Sequence, residues 1–189
     1  NKLMQNNTFF APATPRATLI DIAGVGIHSL NNSEIKNNIF NSTGLDYTIR
    51  ANAAVAEFNL KNVTIVGNTF ISDGGQAIFV RDSVGYLNIT GNTFISGNKY
   101  LYSYNYTEQG ANVILQNENL TALTGSDLIY LKDNINVTLT NLTISKQGLY
   151  TNRSNLTITN LTFTNTNGTI FFPSAILNET EEFNSSTQI

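Results

Sequence analysis

Two ion-bearing dipeptides are the first candidates for chemistry in this chain. Arg81-Asp82 and Lys132-Asp133 each follow a short apolar run. Asp82 and Asp133 could act as paired acid and base carboxylates, and Arg81 could serve as the base of an elimination on an acidic sugar. The alternative, which we favour, is two solvated turns with local ion pairs. The single histidine, His28, is interpreted as an outward or turn residue, and the sequence has no Cys/His metal pattern and no calcium-loop spacing of carboxylates.

Asparagine offers a second kind of chemistry, as the acceptor of N-linked glycans. Asn-x-Ser/Thr triplets occur 15 times among the 29 asparagines, more than twice as often as random placement would give. Where the middle residue is apolar and the triplet is a straight strand, that residue points inward, while Asn and Thr face solvent as a glycan requires. Outward Asn/Thr alternation or AT-rich codon usage would also produce such triplets. The glycosylation candidates are Asn31, Asn41, Asn62, Asn88, Asn105, Asn119, Asn136, Asn152, Asn155, Asn167, Asn178 and Asn184.

Four alternating tyrosines form a third candidate site. Tyr100, Tyr102, Tyr104 and Tyr106 would share one face of an extended segment. Rings on one face suit stacking on sugars or contact with another protein. An insertion loop that folds its aromatic face onto the flank of the molecule is the equal alternative.

A repeated short pattern indicates which elements hold these residues. An apolar residue, an Asn and a second apolar residue five positions after the first recur seven times, at 4–9, 35–40, 65–70, 89–94, 115–120, 139–144 and 158–163. Side chains alternate along a strand, so two inward residues of one straight strand are an even number of positions apart. The separation here is five, so the chain must bend between the two apolar residues. Asn tolerates the left-handed backbone of such a tight bend. The pattern therefore predicts a strand, one corner and another strand.

The spacing of the copies predicts a solenoid. Their last apolar residues recur on average about every 26 residues, and uneven spacing is expected where loops vary in length. Short runs such as 77–80, 128–131 and 169–172 fit further strands buried against stacked neighbours. No window carries a helical apolar stripe. A leucine-rich repeat and an antiparallel sandwich are the competing folds, but the long leucine frame of the first and the hairpin signals of the second are absent.

The recurring I-x-G-N-x-F coil resembles the right-handed parallel β-helices of the pectate-lyase-like superfamily. The resemblance implies an all-β solenoid of about six to seven coils over residues 1–172, with 173–189 as a C-terminal cap or linker tail. It also implies that corner asparagines stack into a ladder formed by Asn7, Asn38, Asn68, Asn92, Asn117, Asn141 and Asn160. Polysaccharide-cleaving members carry sets of aspartate, histidine, arginine and lysine that this sequence lacks as sets. We therefore expect no enzymatic activity, no cofactor and no metal.

Size and composition limit the other classes of function. The 189 residues suit one domain, and charged residues are only 12% of the chain, about half the usual share. The net charge of −3 and the lack of Lys/Arg clusters argue against nucleic acid, and no apolar segment is long enough to span a membrane. Cysteine is absent, which excludes disulfides. Because the chain begins with Asn1 and enters a coil at once, we expect a processed protein or a segment of a longer one.

These observations predict a non-enzymatic, glycosylated structural or adhesive protein at the cell surface. The Asn/Thr-rich coils resemble adhesin-like surface proteins of methanogenic archaea. Open solenoid ends need a neighbour, so we expect self-association, as in a filament or sheath, or flanking domains of the same polypeptide. Glycans or another cell surface are further candidate partners. A polysaccharide lyase or hydrolase, or a glycan-binding module that uses the tyrosine face, is the alternative.

Overall fold

The computed structural model shows parallel β-strands wound along one axis. It describes residues 3–11, 18–23, 31–42, 47–52, 61–72, 75–81, 85–95, 99–104, 111–121, 129–134, 136–145, 149–164, 170–171, 176–177 and 184–185. No helix occurs among these residues. Every pairing between the strands is parallel. The predicted fold class, an all-β parallel β-helix with an asparagine ladder, is therefore confirmed.

The described residues form 21 strands. In order they are β1 (Leu3–Gln5), β2 (Thr8–Ala11), β3 (Thr18–Ala23), β4 (Asn31–Lys36), β5 (Ile39–Ser42), β6 (Tyr47–Asn52), β7 (Lys61–Val66), β8 (Thr69–Ser72), β9 (Gln76–Arg81), β10 (Gly85–Thr90), β11 (Thr93–Ile95), β12 (Lys99–Tyr104), β13 (Ala111–Gln116), β14 (Asn119–Thr121), β15 (Ile129–Lys132), β16 (Asn136–Ser145), β17 (Leu149–Asn152), β18 (Asn155–Thr164), β19 (Ile170–Phe171), β20 (Ile176–Leu177) and β21 (Asn184–Ser185).

The strands stack in three columns. The first column runs from β1 through β4, β7, β10 and β13 to the first half of β16. The second runs from β2 through β5, β8, β11 and β14 to the second half of β16. The third contains β3, β6, β9, β12, β15, β17 and β19. Each coil contributes to all three columns, and the long strands β16 and β18 each supply the first two, so the described residues complete seven coils.

Apolar residues fill the space between the columns because alternate side chains on each strand point to the axis. Phe40, Phe70 and Phe94 align in register on the second column and are each 0% exposed. The ring of Phe40 lies 5.1 Å from that of Phe9 and 5.1 Å from that of Phe70, stacked in both cases. Burying one such ring contributes about 1.5–3 kcal/mol, so stacking the coils is the main source of stability.

The bend between the first two columns occurs where the repeat predicted it. At this bend, one residue in each of the seven coils has positive φ, and these residues are Asn6, Asn37, Gly67, Gly91, Asn117, Asn141 and Asn160. Asn and Gly are the residues that adopt this conformation at least cost. Backbone hydrogen bonds continue across the corner, for example from the N–H of Thr69 to the carbonyl of Asn38. The stacking is therefore uninterrupted by the bend.

Parallel pairing continues beyond residue 172, where the sequence suggested that the solenoid ends. Strand β20 pairs with the start of β18, with Leu177 beside Leu156. Strand β21 pairs with the end of β18, with Asn184 beside Thr162. Two short pieces of the segment 173–189 thus extend the first two columns into an eighth coil.

Candidate functional site

Seven Asn-x-Thr triplets with an apolar middle residue lie in the described part of the chain, and their asparagines and threonines are on the outer surface of the solenoid. The seven apolar middle residues are all buried, as the sequence predicted, with exposures of 0–3%: Val63, Ile89, Leu120, Val137, Leu142, Leu156 and Leu161. The flanking Asn and Thr side chains are exposed or half-buried. Strand alternation produces this arrangement, and the in-register stacking of coils turns it into columns of amides and hydroxyls along the axis.

Several of these asparagines are joined to one another across coils. Nδ2 of Asn136 donates to Oδ1 of Asn112 at 2.7 Å, and Nδ2 of Asn155 donates to Oδ1 of Asn136 at 3.0 Å. Nδ2 of Asn62 donates to Oδ1 of Asn32 at 3.0 Å. Nδ2 is also the atom that carries an N-linked glycan. In these asparagines that atom is already used to hold neighbouring coils together.

Among the described residues, the other candidate asparagines do not use Nδ2 to join neighbouring coils. Asn119 is exposed. Oδ1 of half-buried Asn88 accepts a hydrogen bond of 3.0 Å from the hydroxyl of Thr90, the third residue of its own triplet. Asn41 is half-buried, and Nδ2 of Asn152 donates to the Tyr150 hydroxyl at 3.2 Å.

The remaining glycosylation candidates cannot be placed. Asn105, Asn167 and Asn178 lie outside the described residues. Asn31 and Asn184 lie in strands whose described parts do not include these side chains.

The inner asparagine ladder contains four of the seven asparagines assigned to it by the sequence. In each step, the backbone N–H and Nδ2 of one rung donate to the side-chain oxygen of the next, at 2.8–3.3 Å. The rungs are Asn7, Asn38, Asn68 and Asn92, followed by Glu118. Nδ2 also reaches back to the coil before, as from Asn68 to the Ile35 carbonyl at 2.9 Å. One asparagine thus links three coils.

Asn117, Asn141 and Asn160 lie one residue earlier, outside the inner ladder, which corrects their sequence-based assignment. All three have positive φ and are exposed. They form a separate outer ladder in which Asn160 Nδ2 donates to Asn141 Oδ1 at 2.9 Å and Asn141 Nδ2 to Asn117 Oδ1 at 3.0 Å. The physical reason is that each corner uses two adjacent residues. The first bends the backbone, and the second points its side chain inward.

Glu118 terminates the inner ladder and was not singled out by the sequence. Its side chain is 2% exposed, with Oε1 accepting from Asn92 and Oε2 accepting from the Tyr100 hydroxyl at 2.7 Å. Burial raises the pKa of Glu118 to about 7, although the hydrogen bonds from Tyr100 and Asn92 oppose the shift. The same burial, with the nearby carboxyl, raises the pKa of Tyr100 well above its usual value. Because this pair lies inside the solenoid, it is a structural element and not a surface acid.

The prediction that four tyrosines share one face is wrong at Tyr100. Tyr100 is 0% exposed and its ring lies 5.4 Å from that of Phe94, whereas Tyr102 is half-buried on the outside. Tyr100 and Leu101 are both buried, so the alternation is broken at the start of β12. The side chain of Tyr104 and all of Tyr106 lie outside the described residues.

Tyr102 belongs instead to a column of aromatic rings on the third column of strands. The rings of Tyr102, Tyr130 and Tyr150 stack at 4.4 and 4.5 Å within 9° of parallel, and Phe79 continues the stack at 5.7 Å. Tyr102 and Tyr130 each have a stacked ring on both faces, so their faces are not available for stacking on a sugar. Desolvation and the neighbouring phenols raise the pKa of Tyr130 to about 12. Lys99 Nζ lies 4.7 Å from the Tyr102 ring centroid.

The basic residues of the two charged dipeptides, Arg81 and Lys132, are the last residues of β9 and β15. Arg81 and Lys132 are in register with one strand between them, which places them about 10 Å apart. Asp133 pairs with Arg153 of the next coil, with Arg153 Nη2 donating to Asp133 Oδ2 at 2.6 Å. Asp133 is thus part of a local ion pair at a corner. Asp82 and His28 lie outside the described residues.

Among the described residues, no group of three or more His, Cys, Asp or Glu side chains is arranged to hold a metal ion. The same part of the chain contains no helix with the length and apolar character needed to cross a membrane.

Comparison with known proteins gives no relative from which a function could be transferred. No protein-family model, curated protein or solved structure matches the chain.

Proposed function

We propose that the chain is part of an N-glycosylated extracellular protein whose role is structural or adhesive and not catalytic. It would act as a segment of a larger surface protein or as a subunit of a filament or sheath. The observation that carries the proposal is the outward presentation of the Asn-x-Thr triplets along the first two columns, over buried middle residues such as Ile89 and Leu120. The resemblance of the coils to archaeal adhesin-like proteins, within the pectate-lyase-like superfamily, agrees with it.

The chemistry of the outer columns suits contact by hydrogen bonding. Amides and hydroxyls both donate and accept, so a surface of Asn and Thr can bind sugars or another such surface without ionic groups. Charged residues form only 12% of the sequence. Adhesion of this kind should survive high salt, which screens ion pairs between exposed groups. Loss of adhesion in about 1 M salt would point to charge instead.

The modification is tested on protein purified from its native cells. Mass spectrometry of glycopeptides should find sugar on the candidate asparagines whose Nδ2 is not spent between coils, chiefly Asn88 and Asn119. Replacing Thr90 by Ala destroys the triplet at Asn88 and should remove its glycan. Thr90→Ser, the matched control, keeps both the triplet and the hydroxyl and should retain the glycan.

The location is tested on intact cells. Brief protease treatment should release peptides of this chain before the cells lyse. The proposal is refuted if the chain is cut only after lysis and if Asn88 and Asn119 are both recovered unmodified.

A further inference from the structure

Three tyrosines of the third column form a continuous stack on the outside of the solenoid. They occupy equivalent positions in β12, β15 and β17, where the strand pairing puts Tyr102 beside Tyr130 and Tyr130 beside Tyr150. The ring centroids are 4.4 and 4.5 Å apart, and neighbouring ring planes lie within 9° of parallel. Three successive coils therefore each contribute one phenol to the same stack.

The hydroxyl ends of the three rings lie together. The hydroxyl of Tyr130 shares hydrogen bonds with those of Tyr102 and Tyr150. Asn152 Nδ2 donates to the Tyr150 hydroxyl at 3.2 Å, at one end of this row. Because the rings are stacked and their hydroxyls are in contact, the ring carbons next to each hydroxyl face their counterparts on the neighbouring ring. Those carbons are the ones that share the unpaired electron when a phenol is oxidised to a phenoxyl radical.

The stack also keeps contact with solvent, so a small oxidant can reach it. All three of its tyrosines are half-buried. In contrast, Tyr100 is 0% exposed and its hydroxyl donates to Glu118. Tyr86 is exposed, but its partner in register on β13 is Asn112, which has no ring to couple with. Solvent access and facing phenols are therefore combined at the stack.

From this geometry we propose that the stack is a site of oxidative cross-linking, in which Tyr130 becomes joined to Tyr102 or Tyr150 by a carbon–carbon bond. The co-reactant is a one-electron oxidant, of the kind that a peroxide and a haem protein generate together. The bond ties neighbouring coils together in a chain that has no cysteine for disulfides. The inference goes beyond the proposed function and does not depend on glycosylation or adhesion.

Two one-electron oxidations supply the chemistry. Each removes one electron from a phenol, whose hydroxyl proton passes to water and leaves a neutral phenoxyl radical. The two radicals join through ring carbons next to their oxygens, and the hydrogen on each joined carbon then moves to its oxygen and restores the phenol. The product has lost two electrons and two protons in all. Stacking favours this coupling because it holds the two reacting rings together, which makes the step effectively intramolecular.

The test oxidises the dilute, folded chain with photogenerated tris(bipyridine)ruthenium(III), and persulfate is the final electron acceptor. After digestion with trypsin, coupling of Tyr130 to Tyr150 joins the peptides 100–132 and 147–153. Coupling of Tyr130 to Tyr102 instead closes the peptide 100–132 on itself. Either product is lighter by two hydrogen atoms than its parts, and fragmentation in the mass spectrometer identifies the joined residues.

Two variants and one change of solvent test the role of the stack. Tyr130→Phe keeps the central ring but removes its phenol, and should lower the yield of these cross-links by about tenfold or more. Tyr102 and Tyr150 are then two strand spacings apart, about 10 Å, and do not face each other. The matched control, Tyr86→Phe, removes an exposed phenol of the first column and should leave the yield unchanged. Oxidation of wild type unfolded in urea should give a yield lower by about fivefold or more, because the rings are no longer held together.

Unfolding of the treated chains provides a second readout. A bond between coils restricts the unfolded chain, so oxidation should raise the urea midpoint of wild type. Tyr130→Phe treated in the same way should show no such rise.

Four results would overturn the inference. An absence of joined residues in folded wild type would show that the stacked phenols do not couple. Equal yields from the folded and the unfolded chain would show that the stack does not direct the reaction. An unchanged yield in Tyr130→Phe would place the cross-links elsewhere, and an unchanged or lower urea midpoint of cross-linked wild type would show that the bond does not tie the coils together.

Discussion

Replacing Glu118 by Gln should change the pH dependence of stability in a defined direction. Burial raises the pKa of Glu118 in the folded state to about 7, from an ordinary glutamate value of 4.5. Between these values the folded protein binds more protons than the unfolded chain, so the free energy of unfolding falls as pH rises. A shift of this size corresponds to about 3 kcal/mol, lost mainly between pH 5 and pH 7 and constant above that. Gln cannot ionise, so the variant lacks this contribution.

The assay is urea denaturation followed by circular dichroism at several values between pH 4.5 and pH 8.5. The quantity of interest is the difference between wild type and Glu118→Gln at each pH, because contributions from groups that both proteins share, such as His28, cancel in it. Glu34→Gln is the control, since the Glu34 side chain is 39% exposed and pairs with Lys36 at 3.1 Å. It should leave the slope between pH 5 and pH 7 in place. Parallel stability curves for wild type and Glu118→Gln would refute the reasoning.

Three further substitutions test other parts of the structure. Asn68→Ala should cost about 3 kcal/mol in urea denaturation, because it removes hydrogen bonds to buried partners in the coils before and after it. Exposed Asn141→Ala should cost about 1 kcal/mol or less, and equal costs would contradict the distinction between the two ladders. Gly67→Ala should lower the melting temperature more than Gly91→Ala. Both residues have φ of +63°, but a Cβ at Gly67 would lie 2.6 Å from a carboxamide oxygen, whereas one at Gly91 meets nothing within 4 Å. Thermal denaturation measures the order of the two effects, and the reverse order would count against the corner geometry. Tyr130→Phe should keep the ring stack but remove the phenol with a pKa of about 12 from an absorbance titration. An unchanged titration curve would show that the raised pKa does not belong to Tyr130.

The repeat was sufficient to predict the fold because its physical basis is local. A five-residue separation between inward residues forces a bend, and the copies at 35–40 and 65–70 then align in register. The split between the two ladders was harder to predict, because the residue that bends and the residue that points inward are adjacent. Asn117-Glu118 shows the consequence, since the asparagine bends the chain and the carboxylate takes the buried place.

The outer aromatic column could not be read from the sequence. Tyr102 and Tyr130 are 28 residues apart, while Tyr130 and Tyr150 are 20 apart. Only the pairing of the third column, across loops of different length, brings these rings together. The inward turn of Tyr100 likewise depends on a break in alternation within β12, where Tyr100 and Leu101 are both buried.

The most direct test of the parallel β-helix is an engineered disulfide in this cysteine-free chain. Thr138 and Thr157 lie opposite each other on the outer face of β16 and β18. Adjacent parallel strands are about 4.8 Å apart, which is within the Cα separation that a disulfide spans. Cysteines at these two positions should form an intramolecular bond under mild oxidation, while Thr138→Cys paired with Thr162→Cys should not. Cross-linking of the second pair and not the first would indicate antiparallel strands and contradict the winding on which the whole account depends.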